Sequence, residues 1–333
     1  MYFWGKIFFM RSIEEYRLHF EAYLKDTLTI KEPKNLYAPI VYILSLGGKR
    51  LRPILTLMTA DIFGADFKKA MDAAFAVEMF HNFSLVHDDI MDDAPLRRGK
   101  VTVHEKWDVN TGILSGDAML INAIQYFEGY EGNVHKGLLQ VFSKTALEVC
   151  EGQQYDVDFE DRDDVTIPEY LKMIEYKTAV LVGGAMKMGA IIAEASEEDQ
   201  NRIYEFGKNL GIAFQLQDDY LDAFGDPKTF GKQVGGDIIE NKKTFLVLKA
   251  MELSAPETAK ELEYLFSVQP EEPEAKITRV KEIFTDSGAA AATKNEIEVY
   301  TKEAFNTLSL LSISKESKEG LIAFGNMLMR RSV

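Results

Sequence analysis

Two groups of aspartates stand out because each repeats one spacing at the end of an apolar stretch. The first, in DDIMDD, comprises Asp88, Asp89, Asp92 and Asp93. The second, in DDYLD, comprises Asp218, Asp219 and Asp222. If these stretches are helical, carboxylates four positions apart lie on one face, where like charges destabilise the helix. The spacing therefore predicts a positively charged partner for each cluster.

A metal ion is the partner that this chemistry favours. Oxygen-rich clusters suit hard cations such as Mg²⁺ better than zinc or copper, and Mg²⁺ is commonly shared between carboxylates and substrate phosphates. One cluster alone is better explained as a solvated helix end. Two clusters whose helices face each other across a cavity would converge on one place. An EF-hand is excluded because neither cluster has its central glycine and terminal glutamate.

Basic residues beside glycines and the acidic clusters are the second chemical signal. They are the GGKRLRP stretch (Gly47 to Pro53), Arg97, Arg98, Lys177, Lys232 and Lys242. Arginine binds phosphate oxygens bidentately, whereas lysine acts as a point charge. Taken one at a time, each lysine is better explained as a surface residue. As a set, they predict contacts to a diphosphate.

Composition excludes several classes of protein. The chain has 333 residues and a net charge of −15, which argues against nucleic acid as a partner because phosphate contacts need a basic face. The single cysteine, Cys150, rules out an internal disulfide framework and fits a reducing, cytoplasmic compartment. No apolar run approaches the ~18 residues of a spanning helix, so we expect no membrane span.

The elements that must position these residues are helices. An apolar period near 3.6 predicts one long helix over Ala70 to Ile90 and another over Asn201 to Phe224, each ending in an aspartate cluster. All nine prolines are predicted to lie at or near breaks. Without a linker, we expect a single all-α domain over residues 1–333. Residues 1–10 are interpreted either as a peripheral apolar extension or as the result of an upstream start codon.

The order of the motifs resembles the trans-type isoprenyl diphosphate synthases, short-chain members of the polyprenyl synthetase family. The similar blocks run from Gly47 to Thr244: GGKRLRP, HNFSLVHDDIMDDAPLRRGKVTVH, EGQQYD, YKTA and FQLQDDYLDAFGDPKTFGKQVGGDIIENKKT. The resemblance implies the isoprenoid synthase fold, a large helical bundle around a central active-site cavity. It also implies a homodimer and the head-to-tail condensation of isopentenyl diphosphate with an allylic diphosphate.

The same resemblance assigns a role to individual residues. Three Mg²⁺ ions would be held by Asp88, Asp92, Asp218 and Asp222. The allylic diphosphate would be bound by Arg97, Lys177, Lys232 and Lys242, with Thr178 and Gln215 along the substrate; Lys177, Thr178 and Gln215 are the expected catalytic side chains. Isopentenyl diphosphate would be bound without metal by Lys49, Arg52, His81 and Arg98. The released diphosphate would take the proton, Asp156 and Asp158 would have supporting roles, and Arg330 and Arg331 would form a basic tail.

Product length is predicted from the residues below the first motif. In the family the fifth residue before the first aspartate forms the floor of the product tunnel, and here that residue is Phe83, with Phe80 about one turn deeper. Large aromatics argue against long products. The two-residue insertion of bacterial farnesyl diphosphate synthases is absent, so both C15 and C20 remain open, with geranylgeranyl diphosphate favoured. The alternative interpretation makes both phenylalanines ordinary core residues.

Three other functions are alternatives to the synthase. A class I terpene cyclase shares the first motif, but its second motif normally carries Asn or Asp with Ser and Glu at later spacing. A head-to-head synthase would lack the isopentenyl site that GGKRLRP supplies. A regulatory subunit of a heteromeric synthase would lose metal-binding aspartates, whereas this chain keeps all six in its two DDxxD motifs.

Overall fold

The computed structural model describes residues 11–226 and 234–329. Within these ranges the chain is predominantly helical, and the sheet structure is one two-stranded hairpin. This confirms the predicted all-α class. No helix in the described ranges combines the length and the hydropathy that crossing a membrane requires.

The elements follow one another with short connections. The first are α1 (Ile13–Thr27), α2 (Lys34–Ser45), α3 (Leu51–Ile62), a 3₁₀ turn (Phe67–Ala70), α4 (Met71–Met91), β1 (Leu96–Arg97), β2 (Lys100–Val101), α5 (Val103–Lys106), α6 (Val109–Gln125) and α7 (Gly132–Glu160). Then come α8 (Ile167–Ile174), a π-helical turn (Glu175–Ala179), α9 (Val180–Ile192) and α10 (Glu197–Phe224). The last are α11 (Gly236–Ile239), α12 (Phe245–Leu253), α13 (Pro256–Leu265), α14 (Glu274–Asp286), α15 (Ala289–Ser309) and α16 (Lys315–Met329).

The two helices predicted from periodicity are confirmed. The first is α4, displaced by one residue from the prediction, and the second lies within α10. The prediction for proline was wrong at Pro39, which lies inside α2. A proline there removes one backbone donor and crowds the preceding turn, and burial of the α2 apolar face offsets that cost.

The described residues form two compact units. The first lies within Met1–Ala146 and Gly184–Asn201. In it α4 packs against α3 and α6, and most of its side chains are buried, which explains why its sequence is apolar almost all round. The prediction of a single domain over the whole chain stays a prediction.

The second unit lies within Leu147–Gly183 and Arg202–Val333. The C-terminal part of α10 contributes Tyr220, Leu221 and Ala223 to one core cluster, which also includes side chains of α12 and α14. A second cluster joins Tyr170 of α8 to Ile212 and Leu216 of α10. Both clusters fix the end of α10, where the second aspartate motif lies.

Candidate active site

The first aspartate motif lies at the C-terminal end of α4. Asp89 is 1% exposed, Asp88 is partly buried and Asp92 is exposed as the C-cap of the helix. The guanidinium of Arg97 donates to Asp89 Oδ1 at 2.7 Å and to Asp88 Oδ2 at 3.3 Å. Part of the predicted positive charge therefore comes from the chain itself, five residues beyond the motif.

The hairpin β1–β2 presents the two arginines that follow the motif. Arg97 pairs with Lys100 in the antiparallel register, which leaves Arg98 and Gly99 as a two-residue turn. Their φ angles are +53° and +71°. Positive φ at both central residues is typical of a type I′ hairpin turn. Strict strand pairing thus fixes Arg97 on one side of the turn and Arg98 at its tip.

Three of the four predicted isopentenyl diphosphate residues lie close together in the first unit. Arg52 Nη1 is 3.2 Å from His81 Nε2, and Arg98 donates to the backbone carbonyl of Gly47. Gly48, at φ +131°, leaves room for the Arg98 side chain because it has no Cβ; a Cβ there would lie only 3.0 Å from Arg98 Cζ. The fourth residue, Lys49, follows directly in the chain and is exposed.

The electrostatics of this basic group, Arg52, His81 and Arg98, favour an anion. Burial and the positive charges of nearby arginines lower the pKa of His81 well below its ordinary value, so the imidazole is neutral at pH 7. Burial is also the main cause of the lowered pKa of Arg52 and Arg98. The hydrogen-bond partners of Arg52 and Arg98 in the described structure are a ring and a carbonyl, so their charge is not matched by a carboxylate hydrogen bond.

A buried ion pair that the sequence did not reveal lies behind the basic group. Arg50 donates to Glu78 of α4 and to the carbonyl of Leu44, and both side chains of the ion pair are 3% exposed. Asn82 Nδ2 donates to Glu78 Oε1 at 3.0 Å. Arg50 has φ +49° at the N-cap of α3. The ion pair thus holds the backbone between Lys49 and Arg52 in a fixed, uncommon conformation.

The predicted floor residues belong to an aromatic cluster. Phe83 is 8% and Phe80 is 1% exposed, and their ring centroids are 5.5 Å apart. Phe80 also contacts Phe142, which contacts Phe127 in turn, at 5.4 and 5.2 Å between centroids. Phe83 is therefore the member of this cluster nearest to the aspartates along α4.

In the second unit, Lys177 lies in the π-helical turn of the YKTA block. Its ammonium donates to Asp156 Oδ2 of α7 at 2.5 Å, which agrees with the supporting role expected of that aspartate. A Cβ on Gly152 of the EGQQYD block would lie 2.7 Å from Lys177 Cα. The glycine thus lets α7 approach the backbone of the turn. Single π-helical turns are frequent at functional sites.

A chain of polar contacts links the turn to the second aspartate motif. Thr178 Oγ1 donates to Gln215 Oε1 at 3.4 Å, and Gln215 Nε2 donates to Asp219 Oδ1 at 2.9 Å. The hydroxyl of Tyr170 donates to the other oxygen of Asp219. The structure thus brings together Thr178 and Gln215, as predicted, and adds Tyr170, whose aromatic side chain gave no signal of this role in the sequence.

The second motif is more crowded with negative charge than the sequence suggested. Asp222 Oδ2 accepts a hydrogen bond from the backbone amide of Asp237 at 3.0 Å, and Asp219, Asp222, Asp237 and Lys242 line one small cavity. Burial and neighbouring carboxylates raise the pKa of Asp219 to about 7 and that of Asp237 to about 8. Lys242 forms an ion pair with Glu240 at 2.8 Å.

Some predicted residues cannot be placed. Lys232, Arg330, Arg331 and residues 1–10 lie outside the described residues.

Asp218 is partly buried on α10, one residue before Asp219. Lys243, next to Lys242, donates to the carbonyls of Phe159 and Glu160 at 2.9 and 3.1 Å, where it caps the end of α7.

Comparison with known proteins identifies the class. The family model described as polyprenyl synthetase matches residues 33–284, a span that contains the basic group, both aspartate motifs and the π-helical turn. The chain belongs to the polyprenyl synthetase family.

Individual relatives agree with this assignment. A solved structure of a geranylgeranyl pyrophosphate synthase is similar with a TM-score of 0.94 and 57% identity, over 97% of this chain and 100% of that one. A geranylgeranyl diphosphate synthase of Methanosarcina mazei is 41% identical over 70% of this chain and 73% of its own length. A geranylfarnesyl diphosphate synthase of Natronomonas pharaonis is 38% identical over 72% and 75%.

Proposed function

We propose that the protein is a prenyltransferase that condenses isopentenyl diphosphate with an allylic diphosphate head to tail, giving an all-trans C15–C20 prenyl diphosphate. The observation that carries the proposal is the combination of two carboxylate clusters, each with at least one buried aspartate, with the separate basic group Arg52, His81 and Arg98. The first feature suits a metal-bound diphosphate and the second a diphosphate bound without metal. The names of the relatives support the same reaction.

The aspartate clusters fit Mg²⁺ by their donor chemistry. Asp89 Oδ2 is buried and accepts no hydrogen bond within the described structure, and the raised pKa of Asp219 and Asp237 is due in part to carboxylate repulsion that a cation would relieve. Three Mg²⁺ ions, held by Asp88, Asp92, Asp218 and Asp222, would neutralise charge on the leaving diphosphate.

The side chains around the clusters bind and orient the allylic substrate. Lys177, held by Asp156, and Lys242 supply charge to its diphosphate, and Arg97 and Lys232 are proposed to add to it. Gln215 is fixed by Asp219, so its carbonyl oxygen stays directed towards Thr178. The dipoles of these two side chains would stabilise positive charge on the allylic carbon after ionisation.

Isopentenyl diphosphate would occupy the basic group in the first unit. Lys49, Arg52 and Arg98 supply charge, and the neutral His81 ring supplies a hydrogen bond. The double bond of isopentenyl diphosphate would attack the allylic cation, and loss of a proton to the released diphosphate would complete the reaction. No protein side chain then has to act as a general base.

Product length is proposed to be set by Phe83 and Phe80. Their burial in the aromatic cluster closes the space one to two turns below Asp88, which favours geranylgeranyl diphosphate over longer products. Relatives named for geranylgeranyl and geranylfarnesyl products are both similar to this chain, so local side chains must separate the two lengths.

A cytoplasmic homodimer is the proposed assembly. Helix α6 carries exposed apolar side chains along its length, which is unusual for a helix facing water. They are Val109, Ile113, Leu114, Ile121 and Ile124, which are 38–59% exposed. A second copy of the chain covering this face would explain them. Light scattering during size-exclusion chromatography should give twice the monomer mass, and a monomer would contradict the proposal.

The proposed reaction is tested by metal-dependent turnover of the purified chain. We expect incorporation of labelled isopentenyl diphosphate with Mg²⁺, its loss with excess EDTA and its recovery when Mg²⁺ is restored. Asp218→Asn should lose most turnover, whereas Asp286→Asn, an exposed carboxylate outside both motifs, should not. Turnover that persists in EDTA would contradict the metal assignment, and no turnover under any condition would contradict the synthase.

A further inference from the structure

The base of the arginine-bearing hairpin brings three metal-binding side chains together. In the β1–β2 register Leu96 lies opposite Val101, and the amide of Thr102 donates to the carbonyl of Pro95 at 3.2 Å. Asp93 lies just before this hairpin, and His104 and Glu105 lie just after it, in α5. Ligand atoms of these three residues lie within 4.8 Å of one another.

His104 is the part of this group that points to a ligand. The residue is 7% exposed, and neither ring nitrogen has a hydrogen-bond partner in the described structure. A buried imidazole normally satisfies at least one nitrogen, because an unpaired buried polar group is costly. Its Nε2 faces Asp93 Oδ1 at 3.9 Å and Glu105 Oε1 at 3.8 Å.

These distances are too long for hydrogen bonds, which lie at about 2.7–3.2 Å. They suit an ion between the atoms, since zinc bonds to imidazole nitrogen and carboxylate oxygen are about 2.1 Å, so two ligands of one ion lie at most ~4.2 Å apart. Asp93 has 96% of its side chain exposed and Glu105 has 50%, so both carboxylates can shift to bring the three ligand atoms, which lie within 4.8 Å of one another, closer together around an ion.

We propose that Asp93, His104 and Glu105 form a binding site for a divalent transition metal such as Zn²⁺, separate from the Mg²⁺ aspartates. The mixed nitrogen and oxygen donor set favours a borderline cation over Mg²⁺, which prefers oxygen ligands alone. Because Asp93 precedes the hairpin and His104 follows it, the bound ion ties the two ends of the segment that carries Arg97 and Arg98. Metal occupancy therefore restrains Arg97 and Arg98, the two arginines to which the proposed function assigns diphosphate binding.

The test uses Co²⁺ as a spectroscopic probe, added to the intact protein without substrate. We expect visible d–d bands that saturate at one Co²⁺ per chain, disappear on addition of Zn²⁺ and persist in a large excess of Mg²⁺. Asp93→Asn should weaken Co²⁺ binding by about tenfold or more, and Asp88→Asn should leave it unchanged. Hydrogen exchange of residues 94–102 should slow when Zn²⁺ is bound.

Two variants keep the result independent of folding. His104→Asn removes the buried ligand, and its circular dichroism reports whether the fold survives. Asp93→Asn changes an exposed side chain, so its loss of binding cannot be attributed to unfolding. Absence of the Co²⁺ bands, equal binding by Asp93→Asn and the parent protein, or loss of binding in Asp88→Asn would each overturn the proposal.

Discussion

Replacing Arg50 with methionine should destabilise the first unit because it leaves the carboxylate of Glu78 buried without its cation. The two side chains are each 3% exposed, so water cannot replace the lost partner. Breaking a buried pair by removing one member typically costs about 3–5 kcal/mol. The remaining hydrogen bond from Asn82 to Glu78, at 3.0 Å, compensates only part of that charge.

The matched double variant Arg50→Met, Glu78→Gln separates charge from packing. The glutamine keeps the shape of Glu78 and can accept the hydrogen bond from Asn82, but it carries no charge. A buried neutral group with an incomplete set of hydrogen bonds costs about 1–3 kcal/mol. We therefore expect the double variant to recover about 2 kcal/mol of the free energy of unfolding lost in Arg50→Met.

Urea unfolding followed by circular dichroism measures these differences. Arg17→Met serves as the control, since Arg17 forms an exposed ion pair with Glu14 and its loss should change the urea midpoint little. In folded protein, Arg50→Met should also raise KM for isopentenyl diphosphate more than KM for the allylic substrate, because Lys49 and Arg52 flank it. A double variant less stable than Arg50→Met, or a single variant as stable as the parent, would refute the reasoning.

Four further predictions concern the proposed catalytic machinery. Asp88→Ala should lower kcat by several orders of magnitude in a steady-state assay, since it removes a metal-binding carboxylate; near-normal turnover would contradict its role. Phe83→Ala should lengthen the product seen by mass spectrometry, and an unchanged product would place the floor elsewhere. The pKa of Asp219 is about 7 and that of Asp237 is about 8, whereas the ordinary value is ~4. Between about pH 4 and pH 8 the folded metal-free chain therefore binds more protons than the unfolded chain, and it loses stability as the pH rises. Mg²⁺ should raise Tm more at pH 8.5 than at pH 6, and an equal shift at both pH values would argue against this reasoning. Gly152→Ala should lower kcat and Tm together, because its methyl group would lie 2.7 Å from Lys177 Cα; wild-type values would show that α7 can move away.

The sequence predicted the features that depend on local periodicity and on motif order. Two long helices ending in aspartate clusters could be predicted because their apolar residues recur with a period near 3.6. The family and its prenyl transfer reaction were predicted from blocks that are specific in combination, and the comparisons confirmed both.

Contacts between distant segments could not be predicted in this way. Arg50 and Glu78 are 28 positions apart, and neither periodicity nor spacing marks them as partners. The pairing of Arg97 with Asp88 and Asp89 depends on a type I′ turn at Arg98, a residue rarely found with positive φ. Such contacts follow from how helices and turns pack, which one sequence does not specify.

The contacts of Asp237 and Tyr170 illustrate the same limit. Asp237 is 15 positions from Asp222, yet its amide hydrogen-bonds to that carboxylate. Tyr170 is 49 positions from Asp219, and its hydroxyl contributes to the environment of that carboxylate. Both contacts depend on how α8, α10 and α11 pack together, which the sequence pattern does not specify.

The central claim is tested most directly by mass spectrometry of the products formed by the purified chain with Mg²⁺ and isopentenyl diphosphate. Dimethylallyl, geranyl and farnesyl diphosphates would be supplied in separate reactions. The account predicts that each is elongated to a discrete all-trans diphosphate, with C20 the principal product. Diphosphate release with a hydrocarbon product would identify a cyclase, and the absence of turnover with all three starters would contradict the assignment as a synthase.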